Sequence, residues 1–167
     1  MLVVFTLSGC STISQTVAKA ADTVKTEVQT AQDENFRIKR VRKALAFGDI
    51  IGAEEHRDTL YAAHWRCIAN IEIAEAKYKS NKSEALKIVK DMTEEISNIL
   101  DADCRATVLL SLLHFELETK KDITEAKETI EQVEQTIAMI LNNDYQKMRR
   151  KSELQALLET HKHLLNR

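Results

Sequence analysis

The chain has 167 residues, a length that normally forms one domain with a substantial core. It contains no proline and three glycines, which excludes a sheet-rich fold, because many short strands need turn residues between them. The composition therefore predicts an all-α protein. A net charge of -2 argues against nucleic-acid binding, and no apolar run reaches the roughly 20 residues of a membrane-spanning helix.

The chain opens with an apolar stretch, residues 2–7, that leads directly into Leu7-Ser8-Gly9-Cys10. This tetrad resembles the lipobox of bacterial lipoproteins, in which the cysteine thiol receives a diacylglyceryl group and the signal peptide is cut just before it. The resemblance implies acyl chains on Cys10. With Ser11 in place of Asp after it, it also implies an outer-membrane location facing the periplasm. Several acyl chains anchor a protein firmly, since each buried methylene contributes about 0.8 kcal/mol.

Residues 1–9 are interpreted as a lipoprotein signal peptide with a truncated appearance. The apolar stretch is short, and the first basic residue is Lys19, whereas a signal peptide normally opens with a basic region. The alternative is a cytosolic helical protein in which the lipobox match is accidental.

Residues 10–35 are rich in Thr, Ala, Gln and Val and predict a lipid-anchored spacer helix, with a break at residues 33–35 before a helical domain at 36–167. Apolar residues recur in the spacer at heptad spacing, namely Val17, Val24 and Ala31. Their stripe is weak because Ala and Val bury little area. Self-association of this segment into a homo-oligomer is the alternative.

A basic cluster follows the spacer, formed by Arg37, Lys39, Arg40, Arg42 and Lys43. One interpretation is a contact patch for anionic lipid head groups, peptidoglycan or an acidic partner. The other, which we favour, is a solvated helix face balanced by the many glutamates elsewhere.

The domain shows helical periodicity with short gaps. Segments 62–78 and 107–117 are apolar most of the way round, which is typical of buried helices, whereas segments 85–99 and 123–140 carry one-sided stripes and predict covering helices. A last helix at 144–165 suits a terminal cap. Polar clusters that can cap helices separate these segments, at 48–49, 80–83, 101–103 and 121–122. Glu116 and Lys120 have the spacing of an i,i+4 ion pair.

Three junctions between helices are alike, and each places an alanine early in the second helix, namely Ala53, Ala85 and Ala126. They resemble the helix-turn-helix unit of tetratricopeptide (TPR) repeats, in which this alanine lets antiparallel helices approach closely. The separations of 32 and 41 residues straddle the 34 of that family, although its Trp, Leu, Gly and Pro positions are mostly missing. The expected fold is a set of antiparallel helical hairpins, either a TPR-like right-handed stack or a helix bundle.

No pattern for catalysis or metal binding emerges. The five histidines lack the spacing of a metal site, and the chain has neither a Gly-rich phosphate loop nor a nucleophile elbow. We therefore predict no catalytic residues, no metal, no enzyme activity, and no cofactor apart from the lipid on Cys10. Cys67 and Cys104 form either a disulfide in an oxidising periplasm or two free thiols.

The sequence favours a membrane-anchored, non-enzymatic adaptor that binds a protein partner in the cell envelope, an interpretation that rests on the lipoprotein and TPR-like resemblances. Four aromatic residues near the junctions are candidates for a partner groove, namely Phe47, Tyr61, Trp65 and Tyr78. The main alternative function is a self-associating structural lipoprotein that organises the membrane or envelope.

Overall fold

The structure, a computed structural model, describes residues 32–141 and 143–165. The chain divides into two units, Met1–Phe36 and Arg37–Arg167. The second unit is helical without strands throughout its described part, which confirms the all-α prediction. Most of the predicted spacer lies outside the described residues. The break predicted at residues 33–35 is wrong: these residues are helical, because Asp, Glu and Asn do not interrupt a helix as Gly or Pro does.

Seven helices contribute to the described part of the second unit: α1 (residues 32–46, of which 37–46 belong to this unit), α2 (Ile50–Arg57), α3 (Ala63–Tyr78), α4 (Lys82–Ser97), α5 (Ala102–His114), α6 (Ile123–Ala138) and α7 (Tyr145–Leu164). Helix α5 continues into a π-helical segment, Phe115–Lys120. This segment ends at Lys121, whose φ of 58° turns the chain toward α6.

Helices α2, α4 and α6 start in the same way. The N-cap side chain accepts a hydrogen bond from the backbone N–H three residues later, which satisfies one of the free donors of the first turn; the N-caps are Asp49, Asn81 and Asp122. The alanine four residues after each N-cap is fully buried, namely Ala53, Ala85 and Ala126. A small side chain here lets the preceding helix lie close. The helix boundaries predicted at these junctions are confirmed.

Side-chain contacts fix the helix directions. Arg66 near the start of α3 donates to Glu95 near the end of α4 at 2.8 Å, and Lys77 at the end of α3 pairs with Glu84 at the start of α4. These helices are therefore antiparallel. In α5 and α6, Arg105 lies 3.4 Å from the Met139 sulfur at one end, and the π segment contacts α6 near its other end.

Helices α3, α5 and α7 lie side by side and run the same way. The Tyr78 ring at the end of α3 packs edge-on against Phe115 at the end of α5, with centroids 5.7 Å apart. Arg150 near the start of α7 donates to Asp103 at the start of α5 at 2.8 Å, and His161 near the end of α7 contacts His114 at the end of α5. Since α2, α4 and α6 pack against this row, the contacts form two layers.

The core lies where the two layers meet. Six of the thirteen residues of α5 and seven of the sixteen of α3 are buried, whereas α4 buries three of its sixteen, Ala85, Met92 and Ile96, along one stripe. The predicted order of buried, covering, buried and covering helices is confirmed.

Candidate functional site: the groove between α4 and α6

A groove of about 720 Å³ opens between the covering helices α4 and α6. Its floor is the side of α5 that faces them, with Leu109, Leu112 and Phe115. Val89 and Ile96 of α4 form one wall, and α6 forms the other. The groove exists because α4 and α6 both pack against α5 but leave a strip of this all-round apolar helix between them.

Besides its apolar floor, the groove has uncharged polar residues and charged residues of both signs. The basic residues are Lys90, Arg105 and Lys120, and the acidic ones are Glu116, Glu125 and Glu128. Binding sites typically combine a mainly apolar surface with a few converging polar groups, and this groove has that composition.

Glu116 is the unusual residue of the groove, because its side chain is 4% exposed although it carries a carboxyl group. The Thr129 hydroxyl of α6 donates to Oε1 at 3.0 Å, and Oε2 has no hydrogen-bond partner among the residues that the structure describes. Burial raises the pKa of Glu116 to about 7, with a further contribution from Glu125, against the opposing hydrogen bond of Thr129 and the charge of Lys120. The carboxyl group is therefore poised between its neutral and charged forms near neutral pH.

The π segment explains why Glu116 forms no ion pair with Lys120. The i,i+4 ion pair predicted between Glu116 and Lys120 does not form; Lys120 pairs with Asp122 at 3.2 Å and also with Glu125. A π-helix closes its hydrogen bonds at i,i+5, so residues four apart no longer lie above one another. The widened turn directs Lys120 toward the start of α6 and away from Glu116.

Arg105 occupies the opposite end of the groove floor. Its Nη2 donates to the Met139 sulfur at 3.4 Å, and its Nε is buried without a hydrogen-bond partner. Thioether sulfur is a weak acceptor, so the contact with Met139 is a weak hydrogen bond. The groove thus has an unsatisfied hydrogen-bonding group at each end.

A second, shallower groove of about 430 Å³ runs along α3, α5 and α7. It holds Glu75, whose pKa is raised to about 7 by burial and by the neighbouring charge of Glu72. The rings of His114 and His161 meet edge to face at 5.7 Å in the same groove. Arg42 of α1 binds Glu72 through two nitrogens, at 2.8 and 2.9 Å to Oε1.

The four aromatic residues predicted to form a partner groove lie apart, and none lines the α4–α6 groove. Tyr78 packs against Phe115 in the core. Tyr61 lies under the guanidinium of Arg37 at 4.7 Å, and Trp65 contacts the core beside His64. Phe47 is 79% exposed and lines a small cavity near α1.

Two residues of the predicted basic patch have partners within the protein. Arg37 donates to the backbone oxygen of Thr59 at 2.6 Å, and Arg42 is engaged by Glu72. The other three residues, Lys39, Arg40 and Lys43, are exposed.

Cys67 and Cys104 are both free thiols, and the disulfide considered from the sequence is not formed. Cys67 lies in the second turn of α3 and Cys104 in the first turn of α5, so they are offset along two helices that start at the same end. Burial raises the pKa of Cys67 to about 12 and that of Cys104 to about 11. Neither thiol is an activated nucleophile.

Within the described ranges, no group of three His, Cys, Asp or Glu side chains is arranged to hold a metal ion. No helix in that same part of the chain has the length and apolar character needed to span a bilayer. Cys10 and the lipobox lie outside the described residues. Comparisons of the chain with protein-family models, curated proteins and solved structures give no match.

Proposed function

We propose that this protein is a non-enzymatic scaffold of the bacterial cell envelope that holds a helix of a partner protein in the α4–α6 groove. The observation that carries the proposal is the α4–α6 groove itself, whose floor is the buried apolar side of α5 and whose lining includes the more exposed apolar side chains of Leu86, Val89 and Met139. A concave, mainly apolar surface with a few polar groups is typical of a binding site.

A helix is the occupant that fits this groove best. The floor follows one helix, and the two walls are helices that run in the same direction. Amphipathic helices bind such grooves through residues at i, i+3, i+4 and i+7. The charged residues of both signs along the groove complement the polar flanks of an amphipathic helix.

Location in the envelope is inferred from the resemblance of Leu7-Ser8-Gly9-Cys10 to a lipobox. The acyl chains on Cys10 hold the scaffold at the outer membrane, facing the periplasm. The TPR-like interpretation is supported by the three matching junctions, in which an N-cap residue precedes a buried alanine by four positions. Hairpins that repeat in this way commonly present a binding surface along their stack.

Photo-crosslinking from the groove tests the proposal. A photoreactive phenylalanine analogue replaces Gln132, an exposed α6 residue that lines the groove, and the matched control replaces Lys127, an exposed α6 residue that does not. In native membranes, we expect position 132 to capture a segment that forms an amphipathic helix. A synthetic peptide of that segment should then suppress the crosslink.

Two results would contradict the proposal. One is equal crosslinking from positions 127 and 132, which would mean that the groove is not the contact surface. The other is crosslinking from position 132 only to a second copy of this chain, which would favour the self-associating structural lipoprotein.

Membrane attachment is tested separately with Cys10→Ser. We expect the unmodified chain in the membrane fraction with the mass increase of acyl chains, and the variant in the soluble fraction without it. Identical fractionation of both proteins would refute the envelope location without affecting the groove.

A further inference from the structure

Among the described residues, two buried side-chain atoms have no hydrogen-bond partner, Arg105 Nε and Glu116 Oε2. Both residues line the α4–α6 groove. Buried polar atoms are nearly always paired in folded proteins, because leaving one unpaired sacrifices the hydrogen bond that water would make. Their occurrence in one groove indicates that an occupant supplies the missing partners.

The two residues lie at opposite ends of a single stripe. Arg105 and Glu116 are eleven positions apart, which is close to three helical turns and about 16 Å along α5 and the start of the π segment. Leu109 and Leu112 lie between them on the same face, and all four line the groove. From one end to the other, the stripe therefore consists of a cation, two leucines and a carboxyl group.

The charges around each end agree with this pattern. Glu125 and Glu128 of α6 line the groove along with Glu116, so the carboxyl end is the more acidic one. Lys120 of the π segment pairs with Asp122 and Glu125, which leaves a net negative charge there, and forms no ion pair with Glu116. At the other end, Arg105 donates to the Met139 thioether and forms no ion pair within the described ranges.

We propose that the groove recognises a partner helix carrying an acidic and a basic residue eleven positions apart on its apolar face. This inference rests on the proposed function, since it specifies the chemistry of the helix held there. The acidic side chain accepts a hydrogen bond from Arg105. The Lys or Arg of the partner donates to Oε2 of Glu116, which then becomes the carboxylate of a buried ion pair. Leucines or similar residues between them pack into the groove against Leu86 and Val89 of α4, which are partly exposed.

Synthetic helical peptides test the inference by fluorescence anisotropy against the full chain with Cys10→Ser. The first peptide has Lys and Glu eleven positions apart with leucines between them, in both sequence orders. The second has Gln at both positions and the same leucines. We expect the charged peptide, in one of its two orders, to bind at least tenfold more tightly than the neutral one, since a buried hydrogen bond to a charged group is stronger than a neutral one.

Variants of the protein assign each end. Glu116→Gln should abolish the advantage of the peptide lysine but keep that of the glutamate, and Arg105→Gln should do the reverse. Glu131→Gln, at an exposed α6 residue that does not line the groove, is the matched control and should change affinity less than twofold. A double-mutant cycle between each protein variant and each peptide variant isolates the two contacts.

The outcomes separate the two proposals. Equal affinity for the charged and neutral peptides overturns the charge-spacing inference but leaves the helix-binding groove standing. No binding by either peptide removes the basis of both. The third outcome is that light scattering shows the protein to be a dimer and that Arg105→Gln or Glu116→Gln makes it a monomer. That result overturns the inference, because a second copy of the chain would then be the occupant.

Discussion

The substitution Glu116→Gln should stabilise the protein above neutral pH. The pKa of Glu116 is raised from 4.5 to about 7 in the folded protein because its carboxyl group is buried. The folded state therefore holds a proton between these two values that the unfolded chain releases. Stability falls as the pH rises through this interval and stays lower above it, because the folded protein must then bury a charge.

The size of the effect follows from the shift. A change from 4.5 to about 7 corresponds, at about 1.36 kcal/mol per pKa unit, to about 3 kcal/mol of lost stability above pH 7. Glutamine has the same shape, keeps an oxygen for the Thr129 hydroxyl, and carries no charge. The variant should therefore gain about 3 kcal/mol at pH 8 and roughly nothing at pH 4, where both proteins are neutral at this site.

Urea denaturation followed by circular dichroism, at pH 4 and at pH 8, measures this difference. Glu128→Gln, an exposed substitution on the wall of the same groove, is the control and should change stability by less than about 0.5 kcal/mol at both pH values. A gain of the same size at pH 4 and pH 8 would show that the effect does not come from ionisation. Loss of stability at pH 8 would refute the unpaired buried carboxylate.

Three further substitutions or measurements test the fold. Ala85→Leu should cost about 1–3 kcal/mol because the side chain is fully buried at a helix junction, whereas the exposed Ala76→Leu should change stability by less than about 0.5 kcal/mol in the same urea assay. Gly48→Ala should cost about 1 kcal/mol through its φ of +73° alone, since no atom lies within 4 Å of the added Cβ; a larger loss in thermal unfolding would point to a clash instead. Cys67 and Cys104 have pKa values of about 12 and 11, so at pH 8 they should react with a maleimide at least a hundredfold more slowly in the folded protein than in urea. Cys67 should react more slowly than Cys104. Rapid labelling of these two thiols in the folded protein would contradict their burial.

Much of the fold could be predicted because local signals and tertiary packing agree. The N-cap residues Asn81 and Asp122 are polar residues at the end of one periodic segment, and the buried Ala85 and Ala126 follow four positions later. Apolar periodicity identified α3 and α5 as the buried helices because a helix surrounded by others has no polar face. The relative directions of the helices could be determined only from the structure, where contacts such as that of Arg150 with Asp103 show which helix ends meet.

The groove could not be predicted because it depends on the separation of α4 and α6, which are not adjacent in sequence. The aromatic residues chosen from the sequence were those nearest the junctions, yet Tyr78 packs into the core against Phe115. Glu116 was visible as a carboxyl group within the apolar segment 107–117. In that segment it was assigned to an i,i+4 ion pair, and only the π segment reveals that this pair is absent.

The departures from local rules coincide in the groove. Helix caps and buried alanines follow the expected pattern at the junctions before α2, α4 and α6, whereas Phe115–Lys120 winds as a π-helix and leaves Glu116 without a cation. Such departures are expected at functional sites, where a group that costs stability is kept for what it binds. The carboxyl group of Glu116 lowers stability above neutral pH because its charge is buried and unpaired. A partner lysine that pairs with this charge would remove that destabilisation. Binding of the lysine-bearing peptide should therefore release a proton near pH 7. Calorimetry in buffers of different ionisation enthalpy measures this release, and a binding enthalpy that is the same in all buffers would contradict it.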